Sequence, residues 1–335
     1  MRNRISIFAM SVLSVFTFSL TNVKALTIFD NGQYNLIDYT IADNIEIYNS
    51  TQGESTKVDI SGSVGQWDYS NGYTLEGGYV DVYDSSEVWL SGADIEGGIN
   101  AYDNSSVYIT DCDLFRLIPP DPPVYLKGSV NSTIYMSGGR VEQLQSDGFV
   151  EITEGSVGSF YSTLQSYVNG VLNMSGGTIY GDGVDDGLRI GGTAYVSGGT
   201  IGRMDNYGEL YVTGGTFDYL FASRETLISG GEFGFIAALG ETIIAGGQFY
   251  EIELWDTLII RGSEFSIDGT PVKDGTFIFD GETDDVEISC ILASNESFSQ
   301  TIQGYENSMI ILEAVPEPST IALLSLGILF IRKRR

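Results

Sequence analysis

Leu210-Tyr-Val-Thr-Gly-Gly-Thr-Phe217 is followed by Thr226-Leu-Ile-Ser-Gly-Gly-Glu-Phe233, Thr242-Ile-Ile-Ala-Gly-Gly-Gln-Phe249 and Leu258-Ile-Ile-Arg-Gly-Ser-Glu-Phe265. Each copy has an apolar-x-apolar triplet, a small or polar residue, a glycine corner and then a large apolar side chain. The positions Ser197, Thr213, Ser229, Ala245 and Arg261 stand 16 residues apart. Two further copies lie upstream, Leu172-Asn-Met-Ser-Gly-Gly-Thr-Ile179 and Ala194-Tyr-Val-Ser-Gly-Gly-Thr-Ile201. Period-two alternation in each triplet specifies strands rather than helices. Constant spacing sets like residues above one another: Val212, Ile228, Ile244 and Ile260 in one column, Phe217, Phe233, Phe249 and Phe265 in a second, Leu220, Ile236 and Ile252 in a third. One such unit cannot bury its apolar side, whereas a stack buries a continuous one. The corner glycines suit a positive φ or a close backbone approach. No Asn-Gly or Asp-Gly pair recurs with the repeat, which argues against a sandwich of hairpins.

The expected fold is therefore all-β: a single parallel β-solenoid (β-helix) of about 13 short coils, at one strand spacing per coil. The number of strands per coil stays open. Upstream anchors at Ser61, Glu76, Ser91, Thr110, Ser137, Thr153 and Ser175 drift in spacing, so that half carries insertions, among them Pro119-Pro-Asp-Pro-Pro123. Residues 26–58 are expected to cap the first coil and residues 270–314 the last. Capping and negative charge would both resist end-to-end growth.

The composition narrows the chemistry. The chain has no histidine, which removes imidazole metal sites, Ser-His-Asp triads and Cys-His dyads. Its net charge is −29. Seven of the 16 cations (Arg2, Arg4, Lys24, Arg332, Lys333, Arg334, Arg335) lie in the two terminal segments, but only Glu317 among the acids does, so the body between is more acidic still. Such a body repels nucleic acid and anionic membranes. Disorder does not follow from the charge, because 42% of the residues are apolar and 12% aromatic. Cys112 and Cys290 would lie about ten coils apart on a straight rod, roughly 45 Å, against the 7 Å or less that a disulfide requires. Two unpaired thiols are expected.

Both termini read as addresses. Arg2 and Arg4 precede an apolar stretch, Ile5 to Leu20, and Val23-Lys24-Ala25 fits a signal-peptidase site with cleavage after Ala25. Residues 1–25 are thus expected to be a secretory signal peptide. At the other end Val315-Pro316-Glu317-Pro318 forms an extended stalk, since each proline fixes its own φ and disfavours helix before it. An apolar run, Ile321 to Ile331, follows; it is short for a span of about 20 residues. Arg332, Lys333, Arg334 and Arg335 would hold its end on the cytoplasmic side.

These three blocks in this order resemble the PEP-CTERM sorting signal, over residues 315–335. The resemblance implies a short C-terminal hydrophobic helix and recognition by an exosortase, a membrane transpeptidase or protease of Gram-negative bacteria. It implies an inner-membrane-anchored precursor that is then secreted or passed to the cell surface, often alongside extracellular polysaccharide.

For the body the expectation is a non-enzymatic structural or adhesive protein. The alternative is a polysaccharide lyase or glycosidase, which rests on fold analogy alone. No cofactor is expected. Calcium is the ion that two acidic groups would suit: Glu209, Glu225 and Glu241, spaced by 16, and Asp182, Asp185 and Asp186 within Asp182-Gly-Val-Asp-Asp-Gly187. The bland account of both is solvated turns in a chain rich in acids. The tyrosines are either half-buried strand residues or faces on which sugars could stack.

Overall fold

A computed structural model describes residues 26–315 apart from 31, 40, 42–43, 50–54, 69–73, 77, 115–123, 159–164, 182–185 and 280–282. The signal peptide, the sorting signal from Pro316 onward with its apolar run, the Pro119–Pro123 loop, Asp182 and Asp185 lie outside the described residues. The described part is all-β, with no helix, and winds as a parallel β-solenoid of about 10 turns. At ~4.8 Å per strand step this is a rod of about 50 Å.

Each coil contributes to three ladders. The first runs through Tyr34–Ile37, Lys57–Ile60, the starts of Glu87–Ile95, Ser106–Leu114, Thr133–Val141 and Phe149–Val157, then Val171–Met174 and the starts of the long strands Thr193–Asn206, Glu209–Ala222, Thr226–Ala238, Thr242–Leu254 and Thr257–Ile267. The second is a short corner segment that includes Ile95, Leu114, Val141, Val157, Ile179, Ile201, Phe217, Phe233 and Phe249. The third begins at Leu26–Phe29 and Asn44–Ile47 and passes through Gln165–Val168 and Gly187–Ile190 into the ends of the long strands. All three contribute to one 27-stranded sheet.

The registers follow the 16-residue spacing. Val212, Ile228, Ile244 and Ile260 are successive partners, as are Phe217, Phe233 and Phe249. These side chains are essentially inaccessible and belong to one continuous core. The two corner glycines serve different needs. The second takes a positive φ in coil after coil, +92° at Gly199, +99° at Gly215 and +108° at Gly231, which a side-chain-bearing residue rarely adopts. The first has an ordinary φ but no room: a Cβ on Gly230 would sit 2.5 Å from the carbonyl oxygen of Thr213 in the coil beneath.

The coil count of about 13 is too high, and Glu76 shows one reason. Thr74–Glu76 pairs antiparallel with Gln66–Asp68 in a separate two-stranded sheet, so it is an inserted hairpin and not a rung. Phe265 also departs from its expected column. Beyond Gly262 the Thr257–Ile267 strand turns away and pairs antiparallel with Thr283–Leu292. Phe298 packs edge-on against Phe249 instead, at 5.8 Å between ring centroids. The departure passes through Glu264, at φ +56°, and Asp268-Gly269, at +47° and +70°, then turns the chain into the short antiparallel pair with Thr270–Pro271.

The strands Leu26–Phe29, Tyr34–Ile37, Asn44–Ile47 and Lys57–Ile60 pair in parallel as the first rungs of the stack. In the first two the outward positions are apolar as well, and Leu26, Ile28, Tyr34 and Leu36 are 46–62% exposed. At the other end Thr283–Leu292 and Ser297–Tyr305 form an antiparallel pair. Ser297–Tyr305 and Met309–Ala314 then rejoin the stack in parallel on Thr242–Leu254 and Thr257–Ile267. Cys112 and Cys290 are buried free thiols. Burial pushes the Cys290 thiol up to about 12 and raises that of Cys112 as well, with Asp113, Asp94 and Asp111 adding to the rise.

Candidate functional site

The outward face of the solenoid carries whatever chemistry the body has. Glu209, Glu225 and Glu241 start successive rungs, as their spacing requires: Leu210 N–H donates to the Glu225 carbonyl and Thr226 N–H to the Glu241 carbonyl. All three are exposed. Asp186 is buried. Among the described residues no group of three or more Cys, Asp and Glu side chains is arranged to hold a metal ion.

Two grooves bear on the hydrolase alternative. One, of about 320 Å³, runs along the first ladder and is lined by Glu151, Asn173, Tyr195, Tyr211 and their neighbours. It contains a single carboxylate, whereas glycoside hydrolysis generally uses a pair. The other crosses the corner glycines and contains Glu232 and Glu296. Both carboxylates are engaged: Glu232 accepts from the Tyr250 hydroxyl at 2.9 Å, and Glu296 from Gly247 N–H at 2.6 Å and the Ser294 hydroxyl at 2.8 Å.

A buried ionic cluster went unseen in the sequence. Arg203 and Asp205 both point outward from the Thr193–Asn206 strand, and register sets Arg189 directly opposite Asp205. The Asp205 side chain is 4% exposed. Arg203 Nε donates to its Oδ1 at 3.0 Å, Gln165 Nε2 donates to Oδ2 at 3.3 Å, and Arg189 Nε lies 3.5 Å from Oδ2. The Arg203 guanidinium also covers the Phe221 ring at 4.2 Å, and Arg189 sits between Tyr167 and Tyr207. Gly187 makes the room, because a Cβ there would fall 2.9 Å from that of Arg203. The cluster ties three rungs together with charge-assisted bonds. Its sequence signal is faint: two arginines in a stretch almost without cations.

The aromatics resolve into ladders. Tyr48, Tyr83 and Tyr102 stack at 4.6 and 4.7 Å with interplanar angles of 4° and 9°. Trp89, Tyr108 and Tyr135 stack at 5.0 and 4.9 Å, and Tyr195 lies 5.1 Å from Tyr211. A pair of this kind is worth about 0.5–1.5 kcal/mol beyond its buried area. Within a ladder the ring faces that meet cover one another, while the terminal rings Tyr102 and Tyr195 remain 37% and 49% exposed.

Crowded acids leave a mark on stability. Asp81 accepts a 2.7 Å bond from Asn100 Nδ2, yet burial, with Glu46 adding repulsion, raises its pKa. Asp94 is raised by burial and by Asp113, itself clamped by Arg140. A carboxyl whose folded pKa is raised holds its proton more tightly when folded. The stability this contributes is complete below pH ~4 and is lost as pH rises through the raised value. Asp81→Asn is therefore expected to raise the melting temperature at pH 7 and to flatten the gain on acidification. Thermal melts of both proteins between pH 7 and 4 check this.

The fold and outer surface define an acidic, all-β parallel solenoid attached to a short tail. That tail, residues 314–335, matches the family model for the PEP-CTERM protein-sorting motif. The motif implies an exported protein that an exosortase processes at the membrane and that reaches the cell surface or is secreted. No curated protein and no solved structure matches the chain. Among the described residues no helix is long and apolar enough to cross a membrane.

Proposed function

We propose that this chain is a non-enzymatic structural or adhesive protein of the cell surface or extracellular matrix, delivered by an exosortase. The observation that carries the reading is the pairing of a sorting motif at residues 314–335 with a stack whose outward groups are largely spent on one another. Stacked tyrosines cover one another's faces, Asp205 pairs with both Arg203 and Arg189, and the two acids of the corner groove are hydrogen-bonded. A rod of this kind is a stiff, soluble spacer. Its negative charge keeps copies apart and suits association with neutral polysaccharide or with diffusely held cations.

In this account signal peptidase cuts after Ala25 and Ile321–Ile331 holds the precursor in the inner membrane transiently. Arg332, Lys333, Arg334 and Arg335 stop transfer, and Val315, Pro316, Glu317 and Pro318 present the extended site to the exosortase. Replacing Pro316, Glu317 and Pro318 together with alanine is expected to leave a larger, envelope-bound form in place of the released or surface form. Cell fractionation and immunoblotting check this. Unchanged size and release would overturn the sorting role of these residues.

A further inference from the structure

We propose that the Tyr48–Tyr83–Tyr102 ladder is a site of oxidative dityrosine cross-linking, primed at one end by Glu46. The three residues follow the third-ladder strands of successive coils, where Tyr48 N–H donates to Phe29, Tyr83 N–H to Ile47 and Tyr102 N–H to Val82. Backbone pairing thus fixes the ring spacing at one rung. The rings are nearly parallel at 4.6 and 4.7 Å. All three lie at the surface: Tyr48 and Tyr83 are half-buried and Tyr102 is 37% exposed. An oxidant can reach them, and each ring already lies beside its coupling partner.

Glu46 adds a second, independent feature. The Tyr48 hydroxyl donates to its Oε2 at 2.6 Å. A phenol gives up an electron far more readily when its proton can leave at the same time, and a carboxylate at this distance is a positioned acceptor.

The oxidant is hydrogen peroxide activated by a haem peroxidase, a class of reagent that an extracellular protein can meet. Each of two phenols loses one electron and one proton. The resulting radicals join through a carbon–carbon bond between ring positions ortho to the hydroxyls. Each coupled ring then passes its ortho hydrogen to its own oxygen through solvent, which restores both phenols. The two electrons and two protons released, with one peroxide, give two waters. The link closes the chain between coils and removes conformations from the unfolded state, as a disulfide does. This chain cannot use a disulfide for that purpose, because both of its cysteines are buried free thiols. The biological purpose rests on the extracellular structural reading, but the chemistry does not.

The test is to treat the purified protein, at high dilution, with a haem peroxidase and hydrogen peroxide, and to map the products by intact mass and peptide sequencing. The expected result is monomeric product that has lost two hydrogens per link, with peptides joining Tyr48 to Tyr83 or Tyr83 to Tyr102 and the blue fluorescence of the bisphenol. Tyr83→Phe, which keeps a stacked ring, should lose both links. Tyr48→Phe should leave only Tyr83–Tyr102. Glu46→Gln should slow Tyr48–Tyr83 formation about tenfold, less than for an acceptor fully shielded from water. Coupling confined to other tyrosines, such as the exposed Tyr34, Tyr39 and Tyr250 or the stacked Tyr108–Tyr135 and Tyr195–Tyr211 pairs, or links between molecules without the 48–83–102 products, would overturn the proposal. So would a Glu46→Gln rate equal to that of the parent. Because the reaction uses purified protein, its failure leaves the export reading untouched, and failed export leaves the coupling untouched.

Discussion

Phe233→Ala is expected to destabilise the solenoid by about 3–5 kcal/mol, the range for removing a fully buried aromatic side chain. Phe233 is inaccessible and lies between Phe217 and Phe249, with ring centroids at 4.9 and 5.2 Å. Two features place it at the costly end. The backbone above and below is locked in parallel register, Phe217↔Phe233 and Phe233↔Phe249, so the rungs cannot close over the cavity. In a linear stack each coil is also supported only by its neighbours, so a weak coil uncouples the two sides. Urea unfolding followed by circular dichroism reads the loss, and a second transition would show the uncoupling. Ile179→Val, in the same corner column but an isoleucine there, should cost only about 0.5–1.5 kcal/mol.

Asp205→Ala is expected to cost about 3 kcal/mol, the lower end for breaking a buried ion pair by removing one partner. The loss comes from removing the carboxylate that accepts from Arg203 Nε, on a side chain only 15% exposed, and from the Gln165 amide. The 36% exposure of Arg189 lets that group recover water, which keeps the figure at the lower end. Asp205→Asn retains an acceptor for Arg203 and should lose less. Removing Arg203 as well, as Arg203→Met/Asp205→Ala, should restore part of the stability, because it takes away the largely buried cation that Asp205 balanced. The double-mutant cycle measured in urea separates the pair from the packing of Arg203 on Phe221.

The regular half of the fold was legible because it repeats. The 16-residue period placed Val212, Ile228 and Ile244 in one column before any coordinates, and the glycine corners explained themselves. Departures from the period were harder to see, although two carry hairpin signals in the sequence. Asp268-Gly269 turns the chain shortly after Phe265 has left its column, and in the sequence Asn71-Gly72 lies between the paired strands Gln66–Asp68 and Thr74–Glu76. Dipeptides of this composition favour turns and signal a local break in a repeat pattern. The start of the body was hard to read because Leu26–Phe29 and Tyr34–Ile37 carry apolar residues on both faces, with Leu26, Ile28, Tyr34 and Leu36 facing outward.

Site features were less legible, for a physical reason. Arg189 and Asp205 are 16 residues apart and so share a column, but the cluster also depends on Gln165 from a further rung, which no local pattern links to them. The tyrosine ladders have the same origin: Tyr48, Tyr83 and Tyr102 are separated by 35 and 19 residues, spacings set by insertions, yet end within one rung of each other. The tail was legible at once, because its three blocks act as sequence and need no fold.

The central claim is that a solenoid body is exported and then trimmed at both ends. Intact-mass analysis and terminal sequencing of the protein recovered from the cell surface or the medium test it most directly. The account predicts a chain that begins at Leu26 and ends before Ile321. A recovered protein that still carries Met1 to Ala25, or that retains Arg332 to Arg335, would contradict it.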